Sequence, residues 1–319
     1  MAILTPLQRD VPLKPYTTLR AGGEAEYFAA CFEADEFADV VARAQRDAIH
    51  TTILGWGSNV LPSDDGVPGL VLLNRCTRIQ IEDGVVTAET GCGFQELCLK
   101  TAQAGLAGLE FAVGIPGTLG GALVSNAGAY RSNVSEFLTE IEIVFEGTRR
   151  WVSPDWMQFS YRDSVLRRES HVQAALVRVR LKLPAGEPKA IYDEAREYQR
   201  QRISKQPPSA SAGSFFKNVN DARLAESLDT LPDPLKKSGV IPAGYLLEKS
   251  GMKGYRHGGA MFGERHANFI LNVGNASAGT IRELAAIGKT AVRERFGVEL
   301  EEEVLYLGDW GRWLRLHPN

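Results

Sequence analysis

Glycine residues crowd one part of this chain, and this cluster constrains the fold more than any other feature of the sequence. It runs from Gly105 to Gly128, and its centre reads Gly-Ile-Pro-Gly-Thr-Leu-Gly-Gly-Ala from Gly114 to Ala122. Glycine adopts positive φ and permits close backbone approach, while Pro116 presets a turn. The backbone here can therefore lie against a flat or pyrophosphate-bearing ligand. The alternative interpretation is that these glycines only form a tight turn of the backbone and bind no ligand.

A second glycine loop follows a short β-branched run. Residues Thr51 to Leu54 predict a strand, and Gly-Trp-Gly-Ser-Asn comes directly after it, from Gly55 to Asn59. The two glycines allow backbone N–H groups to approach an anion, and the serine and asparagine add hydroxyl and amide partners. Val60 occupies the position of the third glycine in the dinucleotide-binding motif, so this motif is absent. The spacing of the glycines does not match a P-loop either. An ordinary turn is the competing interpretation.

Hydrophobic periodicity around these loops predicts a mixed α and β architecture. A helix is predicted from Glu36 to Arg46, and the order helix, strand, glycine then begins an α+β or α/β lobe. The Asp83-Gly84 pair predicts a hairpin turn. Further strands are predicted from Gly69 to Leu73, Arg78 to Ile81, Val85 to Glu89, Glu140 to Phe145 and Ala174 to Leu183, and a helix from Phe94 to Ala104.

The run Pro-Ala-Gly-Glu-Pro at 184–188 breaks this pattern and marks the main predicted domain boundary. A charged helix is predicted from Tyr192 to Arg202, ending before Pro207 and Pro208.

A well-marked helix is predicted near the C-terminus. Thr280 and Glu283 predict a capping box at its start, and Gly297 predicts its C-cap. Residues Leu300 to Leu307 predict a last strand. One predicted face of the helix carries Ile281, Leu284, Gly288, Ala291 and Phe296.

Composition excludes several classes of partner. The 319 residues carry a formal net charge of −3 without a basic stripe, so nucleic acid and anionic membranes are not expected partners. The absence of a long apolar run and of a secretory signal predicts a cytoplasmic protein. His257 and His266 do not form a metal-ligand motif, so no metal site is predicted. Four cysteines are predicted to be reduced and buried: Cys31, Cys76, Cys92 and Cys98.

Seven short motifs occur in a characteristic order. They are Thr-Thr-Leu-Arg-Ala-Gly-Gly at 17–23, Gly-x-Gly-Ser-Asn at 55–59, Gly-Leu-Glu-Phe at 108–111, Gly-Ile-Pro-Gly at 114–117, Tyr-Arg-Asp-Ser at 161–164, Ala-Gly-Ser-Phe-Phe-Lys-Asn at 212–218 and Leu-Glu-Glu-Glu-Val at 300–304. In this order they resemble the UDP-N-acetylenolpyruvoylglucosamine reductase family, and the resemblance extends from about residue 14 to residue 308.

The resemblance implies a fold, a domain order and a cofactor. The implied fold class is α+β, with a two-lobed FAD-binding domain of the vanillyl-alcohol-oxidase type followed by a C-terminal α+β substrate-binding domain. The implied limits are residues 1–78 and 79–203 for the two lobes, 204–308 for the substrate-binding domain and 309–319 for a tail. Non-covalent FAD would be bound by both glycine loops, at Gly55, Gly57, Ser58, Asn59, Gly114, Ile115, Pro116, Gly117, Gly120, Gly121, Asn126 and Ala129.

The resemblance also assigns catalytic roles to Arg162 and Ser214. The planar guanidinium of Arg162 suits a carboxylate, and by resemblance it binds the enolpyruvyl group and stabilises its enolate. From the residues alone, a solvated surface arginine is the alternative. Ser214 matches the family's general acid, but a hydroxyl is a weak acid and needs help from a nearby cation, for which Lys217 is a candidate. A serine that caps a turn is the alternative.

The third catalytic assignment depends on sequence register. The family pattern is Leu-Glu-Pro-Glu-Val, so Glu303, directly before Val304, aligns with the catalytic glutamate, and Glu302 replaces the usual proline. Glu301 and Glu302 remain alternatives, because three successive glutamates occupy both faces of a strand. Substrate binding is assigned to Tyr161, Lys205, Lys217 and Asn218.

The implied reaction is a two-step relay in a monomer. NADPH passes a hydride to FAD and leaves, and UDP-N-acetylglucosamine enolpyruvate is then reduced in the same cleft to UDP-N-acetylmuramate. One alternative is another FAD-dependent oxidoreductase of this fold that acts on an alcohol or sugar, is reoxidised rapidly by oxygen and does not need Ser214. The other is a non-enzymatic flavin or nucleotide-sugar binding module, against which Arg162, Ser214 and Glu303 argue.

Overall fold

The computed structural model describes residues 6–168, 172–205 and 210–317. The α-helices in these ranges are α1 Ala34–Arg46, α2 Phe94–Gln103, α3 Leu119–Val124, α4 Val165–Arg168, α5 Pro188–Lys205, α6 Ala222–Ser227, α7 Asp233–Ser238, α8 Ala243–Lys249, α9 Ala278–Phe296 and α10 Gly311–Leu316. The strands are β1 Gln8–Pro12, β2 Glu24–Cys31, β3 Thr51–Leu54, β4 Val60–Pro62, β5 Val67–Asn74, β6 Ile79–Glu82, β7 Val85–Glu89, β8 Gly128–Ala129, β9 Ser132–Asn133, β10 Leu138–Phe145, β11 Thr148–Val152, β12 Ala175–Lys182, β13 Ser211–Ser214, β14 Val219–Asn220, β15 Val240–Ile241, β16 Arg256–His257, β17 Ala260–Phe262, β18 Phe269–Asn272 and β19 Leu305–Leu307.

The chain forms two compact units. The first contains the described residues of 1–11, 25–56 and 67–204, and the second contains those of 12–24, 57–66 and 205–319. The two short segments belong to the second unit because Leu19 and Leu61 are fully buried in its hydrophobic core. Part of the second glycine loop therefore belongs to the same unit as the C-terminal residues.

The first unit contains a four-stranded sheet and a five-stranded sheet with α1 between them. The strand orders are β1-β2-β5-β3 and β11-β10-β12-β7-β6, and β5 lies parallel to both β2 and β3. Phe37 and Val41 of α1 share one buried cluster with Leu72 of the first sheet and Val177 of the second. The apolar stripe predicted for this helix is thus buried on both sheets, which holds them together.

Helices α2 and α3 pack on the five-stranded sheet in a separate core of the first unit. Phe94 at the start of α2 contacts Phe111 edge-on, with ring centroids 5.8 Å apart, and both rings are buried. The apolar face of α2 covers Val86 and Val179 of the sheet. This packing positions the glycine loop that precedes α3.

The second unit contains the sheet β13-β18-β17-β16, two small two-stranded sheets and α9. Ile281 and Leu284 of α9 are buried against Phe262 and Ile270 of the sheet. One of the small sheets pairs β19 in parallel with β4, with Leu305 opposite Val60. The C-terminal strand is therefore attached to the segment that carries the second glycine loop.

Most predicted elements are confirmed with ends shifted by a few residues. The hairpin turn is confirmed, because Asp83 and Gly84 both have positive φ, 49° and 76°, and Glu82 pairs with Val85. The charged helix starts earlier than predicted, at Pro188, because proline is compatible with the first turn of a helix. Pro207 and Pro208, which were expected to follow it, lie outside the described residues.

The predicted capping box of α9 is wrong. Ser277 is the N-cap, and its side chain accepts a 3.1 Å hydrogen bond from the N–H of Thr280, which is the third helical residue. The Glu283 carboxylate lies 2.8 Å from Nε2 of His257 instead of turning back to the helix start. The Gly297 C-cap is confirmed by its φ of 68°. The last strand is also shorter than predicted, with only Leu305–Leu307 in regular pairing.

The C-terminal residues pack around one cation. The guanidinium of Arg282 lies 4.4 Å from the ring centroid of Tyr306, 4.5 Å from that of Trp310 and 4.1 Å from that of Trp313. These distances are typical of cation–π interactions. They attach α10 to α9 and so hold the chain that follows Glu303. No helix within the described ranges is long and apolar enough to cross a bilayer.

Candidate active site

The glycine loop before α3 is held by hydrogen bonds to the neighbouring sheet. The N–H of Gly120 donates to the Thr90 carbonyl at 2.8 Å, and the Thr118 side chain caps α3. A Cβ on Gly120 would lie 3.1 Å from the Thr90 carbonyl oxygen, and one on Gly55 would lie 2.4 Å from Oγ1 of Thr118. The neighbouring protein atoms therefore exclude a larger residue at Gly55 and crowd one at Gly120, so the structural interpretation applies to Gly55.

Other positions of this loop have backbone conformations that suit glycine. Gly114 and Gly117 have φ of 74° and 131°. Between them, Ile115 packs against the core of α2 and α3, and Pro116 continues the turn. Gly121 is different, because a Cβ there would meet only Thr118 Oγ1 within the described part of the chain, at an ordinary distance of 3.6 Å.

Asn126 lies just beyond α3 and is nearly fully buried. Its Nδ2 donates to the Ser160 carbonyl at 3.0 Å, while its Oδ1 has no hydrogen-bond partner among the described residues. A buried amide oxygen without a partner costs on the order of 1–3 kcal/mol. A bound group that donates a hydrogen bond would remove this cost. Ala129 follows in β8 and is half-buried.

Arg162 lies at the tip of a tight turn next to Asn126. Ser160 and Asp163 exchange backbone hydrogen bonds of 3.1 and 3.3 Å, and Arg162 between them has a φ of 53°. Its Nη2 donates to the Gly128 carbonyl at 2.5 Å. The side chain of Tyr161 is exposed, and its ring centroid lies 5.4 Å from the Arg162 guanidinium. The turn thus brings Tyr161, Arg162 and Asn126 together within the first unit.

Arg202 is a second cation near this site that the sequence interpretation missed. Its Nη2 donates to the Phe111 carbonyl at 3.0 Å, and its Cδ lies 3.0 Å from the position that a Cβ on Gly114 would take. Burial lowers the pKa of the Arg202 guanidinium, Tyr130 opposes that shift and the nearby positive charge of Arg162 adds to it. Its position at the end of a charged helix, directly before the predicted substrate-binding domain, was the one available signal.

Ser214 is the last residue of β13 in the second unit and pairs with Phe269 of β18. The next two residues are anchored by one buried asparagine. The N–H of Phe215 donates to the Asn268 carbonyl at 2.7 Å, and the N–H of Phe216 donates to Asn268 Oδ1 at 2.9 Å. Both phenylalanine rings are buried. Ser214 therefore lies at the half-buried end of a hydrogen-bonded strand, not in a capped turn.

The three glutamates lie antiparallel to this strand. Phe216 is paired with Glu302, the N–H of Glu303 donates to the Phe215 carbonyl at 2.8 Å, and the N–H of Lys217 donates to the Glu301 carbonyl at 2.8 Å. Glu303 is therefore opposite the residue that follows Ser214.

The side chains of the three glutamates differ in what they contact. The Glu302 carboxylate lies 3.4 Å from Nζ of Lys289 on α9, and Glu301 is exposed and ion-paired with Lys217. Burial, with a smaller contribution from Glu302, raises the pKa of the Tyr306 hydroxyl. Glu302 thus faces α9.

The predicted substrate-binding residues occupy different settings. Lys217 is largely buried and paired with Glu301, and Asn218 is exposed, with its Oδ1 accepting from the N–H of Ala243 at 3.3 Å. Lys205 is the last residue of α5, and its side chain lies outside the described part of the structure.

The second glycine loop is closely packed. Gly57 has a φ of 62°, and a Cβ there would lie 2.1 Å from the Tyr16 carbonyl oxygen. Ser58 is half-buried. Asn59 donates from Nδ2 to the Glu303 carbonyl at 3.0 Å, and its own carbonyl accepts from the N–H of Leu305 at 3.1 Å. The predicted cofactor loop therefore contacts the backbone of the predicted catalytic glutamate.

Comparison with known proteins identifies two consecutive domains. Residues 25–152 match a family model described as an FAD-binding domain, and residues 205–307 match one described as the UDP-N-acetylenolpyruvoylglucosamine reductase C-terminal domain. The reductase of that name from Synechococcus sp. strain JA-3-3Ab is 38% identical over 95% of this chain and 92% of its own length. The chain belongs to the UDP-N-acetylenolpyruvoylglucosamine reductase family.

Further relatives agree with this assignment. The UDP-N-acetylenolpyruvoylglucosamine reductase of Bacillus subtilis is 34% identical over 93% of this chain and 92% of its own length. The crystal structure of the reductase from Thermus caldophilus has a TM-score of 0.76 and 31% identity, and the match covers 96% of this chain and all of that one. The predicted fold class is confirmed, and the chain is an FAD-dependent oxidoreductase.

The residues of the first unit fit FAD, the cofactor of the UDP-N-acetylenolpyruvoylglucosamine reductases. FAD carries N–H and O–H donors that can satisfy the Oδ1 of Asn126, for which the described residues supply no partner. No group of three or more metal-ligating side chains occurs in the ranges that the structure describes.

Proposed function

We propose that this protein reduces UDP-N-acetylglucosamine enolpyruvate to UDP-N-acetylmuramate for peptidoglycan precursor synthesis, with NADPH as the hydride donor. The observation that carries the proposal is the 2.8 Å hydrogen bond between Glu303 and Phe215, since it aligns the glutamate with the residue after Ser214. An acid and a carboxylate on adjacent strands of one unit suit protonation of a charge that develops during reduction.

FAD, when bound, supplies the hydride chemistry between NADPH and the enolpyruvyl double bond. We assign it the loop residues predicted above other than Asn59, with Asn126 as an acceptor. Arg162 then binds the enolpyruvyl carboxylate, because a guanidinium can donate two parallel hydrogen bonds to it. Glu303 orients the reacting group, and Ser214 donates a proton from Oγ to the carbon left negative by hydride addition.

We assign binding of the UDP-sugar to four residues predicted from the sequence. Lys205, Lys217 and Asn218 supply two cations and an amide for the diphosphate, and Tyr161 supplies an exposed aromatic ring. The pairing of Lys217 with Glu301 leaves that ammonium partly neutralised. We therefore do not assign proton delivery to Lys217.

We further propose that the protein acts as a monomer in the cytoplasm, within the domain limits predicted from the sequence. The cysteines support a reducing compartment: all four are free and buried, and burial raises the pKa of each thiol to about 12. Such thiols are unreactive, and a reducing cytoplasm keeps them unpaired.

Anaerobic stopped-flow absorbance tests the proposed function. NADPH should bleach the flavin of the purified protein, and UDP-N-acetylglucosamine enolpyruvate should restore its colour. UDP-N-acetylglucosamine, which lacks the enolpyruvyl group, is the matched control and should leave the flavin reduced. Rapid reoxidation by oxygen together with no response to the enolpyruvyl substrate would instead favour an oxidase.

A further inference from the structure

We propose that Asn59 is a positioning residue for Glu303, and that its side chain serves this purpose rather than contact with the cofactor. This inference rests on the proposed function of Glu303. Asn59 is separated from Glu303 by 244 positions in the chain, yet its Nδ2 donates to the Glu303 carbonyl at 3.0 Å.

Asn59 contacts the C-terminal strand at two points. The side-chain amide binds the carbonyl of Glu303, and the backbone carbonyl of Asn59 accepts from the N–H of Leu305. The residue between them, Val304, is buried. The two hydrogen bonds therefore enclose one buried side chain and prevent this segment from rotating about its own axis.

The other edge of the same segment is also bound. The N–H of Glu303 donates to the Phe215 carbonyl, so both backbone polar groups of Glu303 are used in the second unit. A backbone held at both its N–H and its C=O has little freedom, and the direction of its Cα–Cβ bond is set accordingly. Asn59 and Phe215 together fix the position and direction of the Cα–Cβ bond of Glu303.

The ion pairs described for the neighbouring glutamates involve other groups. Glu302 is directed to Lys289 of α9, and Glu301 is exposed with Lys217 as its partner. Neither contact involves the backbone carbonyl of Glu303. Loss of the Asn59 amide would remove one of the two backbone hydrogen bonds described for the residue that the reaction needs, and a shift of about 1 Å at a reacting group can cost on the order of 10²-fold in rate.

The experiment compares Asn59→Ala with wild-type holoenzyme in three measurements. We expect the dissociation constant for FAD and the rate of flavin reduction by NADPH to remain near wild type. Reoxidation by UDP-N-acetylglucosamine enolpyruvate should slow by about 10- to 100-fold, with the loss in kcat rather than KM. Asn59→Ser serves as a second variant if the alanine protein does not fold. Weakened FAD binding with both half-reactions slowed equally would overturn the inference and favour the cofactor role.

A matched control and a double-mutant cycle separate positioning from general destabilisation. Asn272→Ala also removes an asparagine that donates to a backbone carbonyl, that of Leu19 at 2.9 Å, and it should lower stability without separating the half-reactions. In a Glu303→Gln background, Asn59→Ala should slow reoxidation by less than threefold, because Asn59 acts through Glu303. Additive losses would overturn the inference. Failure of wild-type protein to be reoxidised by the enolpyruvyl substrate would instead refute the proposed function.

Discussion

The backbone N–H of Glu303 donates a 2.8 Å hydrogen bond to the carbonyl of Phe215. This contact places a glutamate and Ser214 on adjacent strands, although the two residues are far apart in sequence. It also distinguishes the three glutamates, because the same register directs Glu302 towards Lys289 on α9.

Ser214→Ala should separate the two half-reactions. If Ser214 only protonates the substrate, flavin reduction by NADPH should proceed at the wild-type rate. Reoxidation by the enolpyruvyl substrate should slow by at least about 10²-fold, the usual loss for a positioned general acid. Anaerobic stopped-flow absorbance measures both steps in one sample. Ser211→Ala, on the same strand, is the control and should behave as wild type, whereas equal slowing of both steps in Ser214→Ala would refute the acid role.

Arg162→Lys should reduce turnover despite conservation of charge. An ammonium cannot reproduce the two parallel hydrogen bonds of a guanidinium, so we expect a loss of roughly tenfold in kcat, equivalent to about 1.4 kcal/mol of transition-state stabilisation. Steady-state kinetics with the enolpyruvyl substrate measures the loss. Arg168→Lys tests a nearby arginine that pairs with Asp163 at 2.8 Å and should retain wild-type turnover. Normal kinetics in Arg162→Lys would make Arg162 a surface residue.

The ion pairs of Asp35 should make stability depend on pH in the acid range. Hydrogen bonds from Arg149 at 2.7 Å and Arg178 at 3.0 Å hold the pKa of Asp35 below its usual range, against an opposing effect of burial. A lowered pKa stabilises the folded protein above the unfolded-state pKa of about 3.9, and the stabilisation is lost as the pH falls through the folded-state pKa.

Asp35→Asn should therefore lower the urea midpoint near neutral pH, and the difference from wild type should disappear as the pH falls well below 4, roughly the unfolded-state pKa. Urea titrations across the acid range provide the measurement. Asp39→Asn, exposed on the same helix, is the control and should have a smaller effect. A difference between Asp35→Asn and wild type that grows on acidification would contradict this sign.

Gly288→Ala should destabilise α9, although alanine normally favours a helix. A Cβ at Gly288 would lie 2.6 Å from Cζ of Phe262 and 3.1 Å from Cδ2 of Leu247, and both side chains are buried. Overpacking of this kind costs about 1–3 kcal/mol, more than the roughly 1 kcal/mol that alanine adds by helix propensity. Urea unfolding measures the change.

The control for this prediction is Ala286→Gly at an exposed position of the same helix. It should lose about 1 kcal/mol from propensity alone. Together the two variants separate packing from propensity. A gain in stability for Gly288→Ala would mean that Phe262 moves aside at little cost.

The sequence by itself determined the local elements of this protein. Apolar periodicity predicted α1, the Asp83-Gly84 pair predicted a hairpin, and Gly297 predicted the end of α9, because each of these depends on residues a few positions apart. The ordered motifs also predicted the family, which the comparisons confirmed. The prediction of the α9 N-cap was wrong, since serine and threonine are both good N-cap residues and the helix is capped by Ser277 rather than by Thr280.

Only the tertiary structure decided which distant residues meet. The partner of Asn59, the direction of Glu302 towards Lys289, and the position of Arg202 against the Gly114 loop all depend on strand register and helix docking. These in turn arise when buried surfaces such as Phe215, Phe216 and Val304 pack into one core. A local pattern cannot specify them, because a hydrogen bond between remote segments follows from the packing of everything between them.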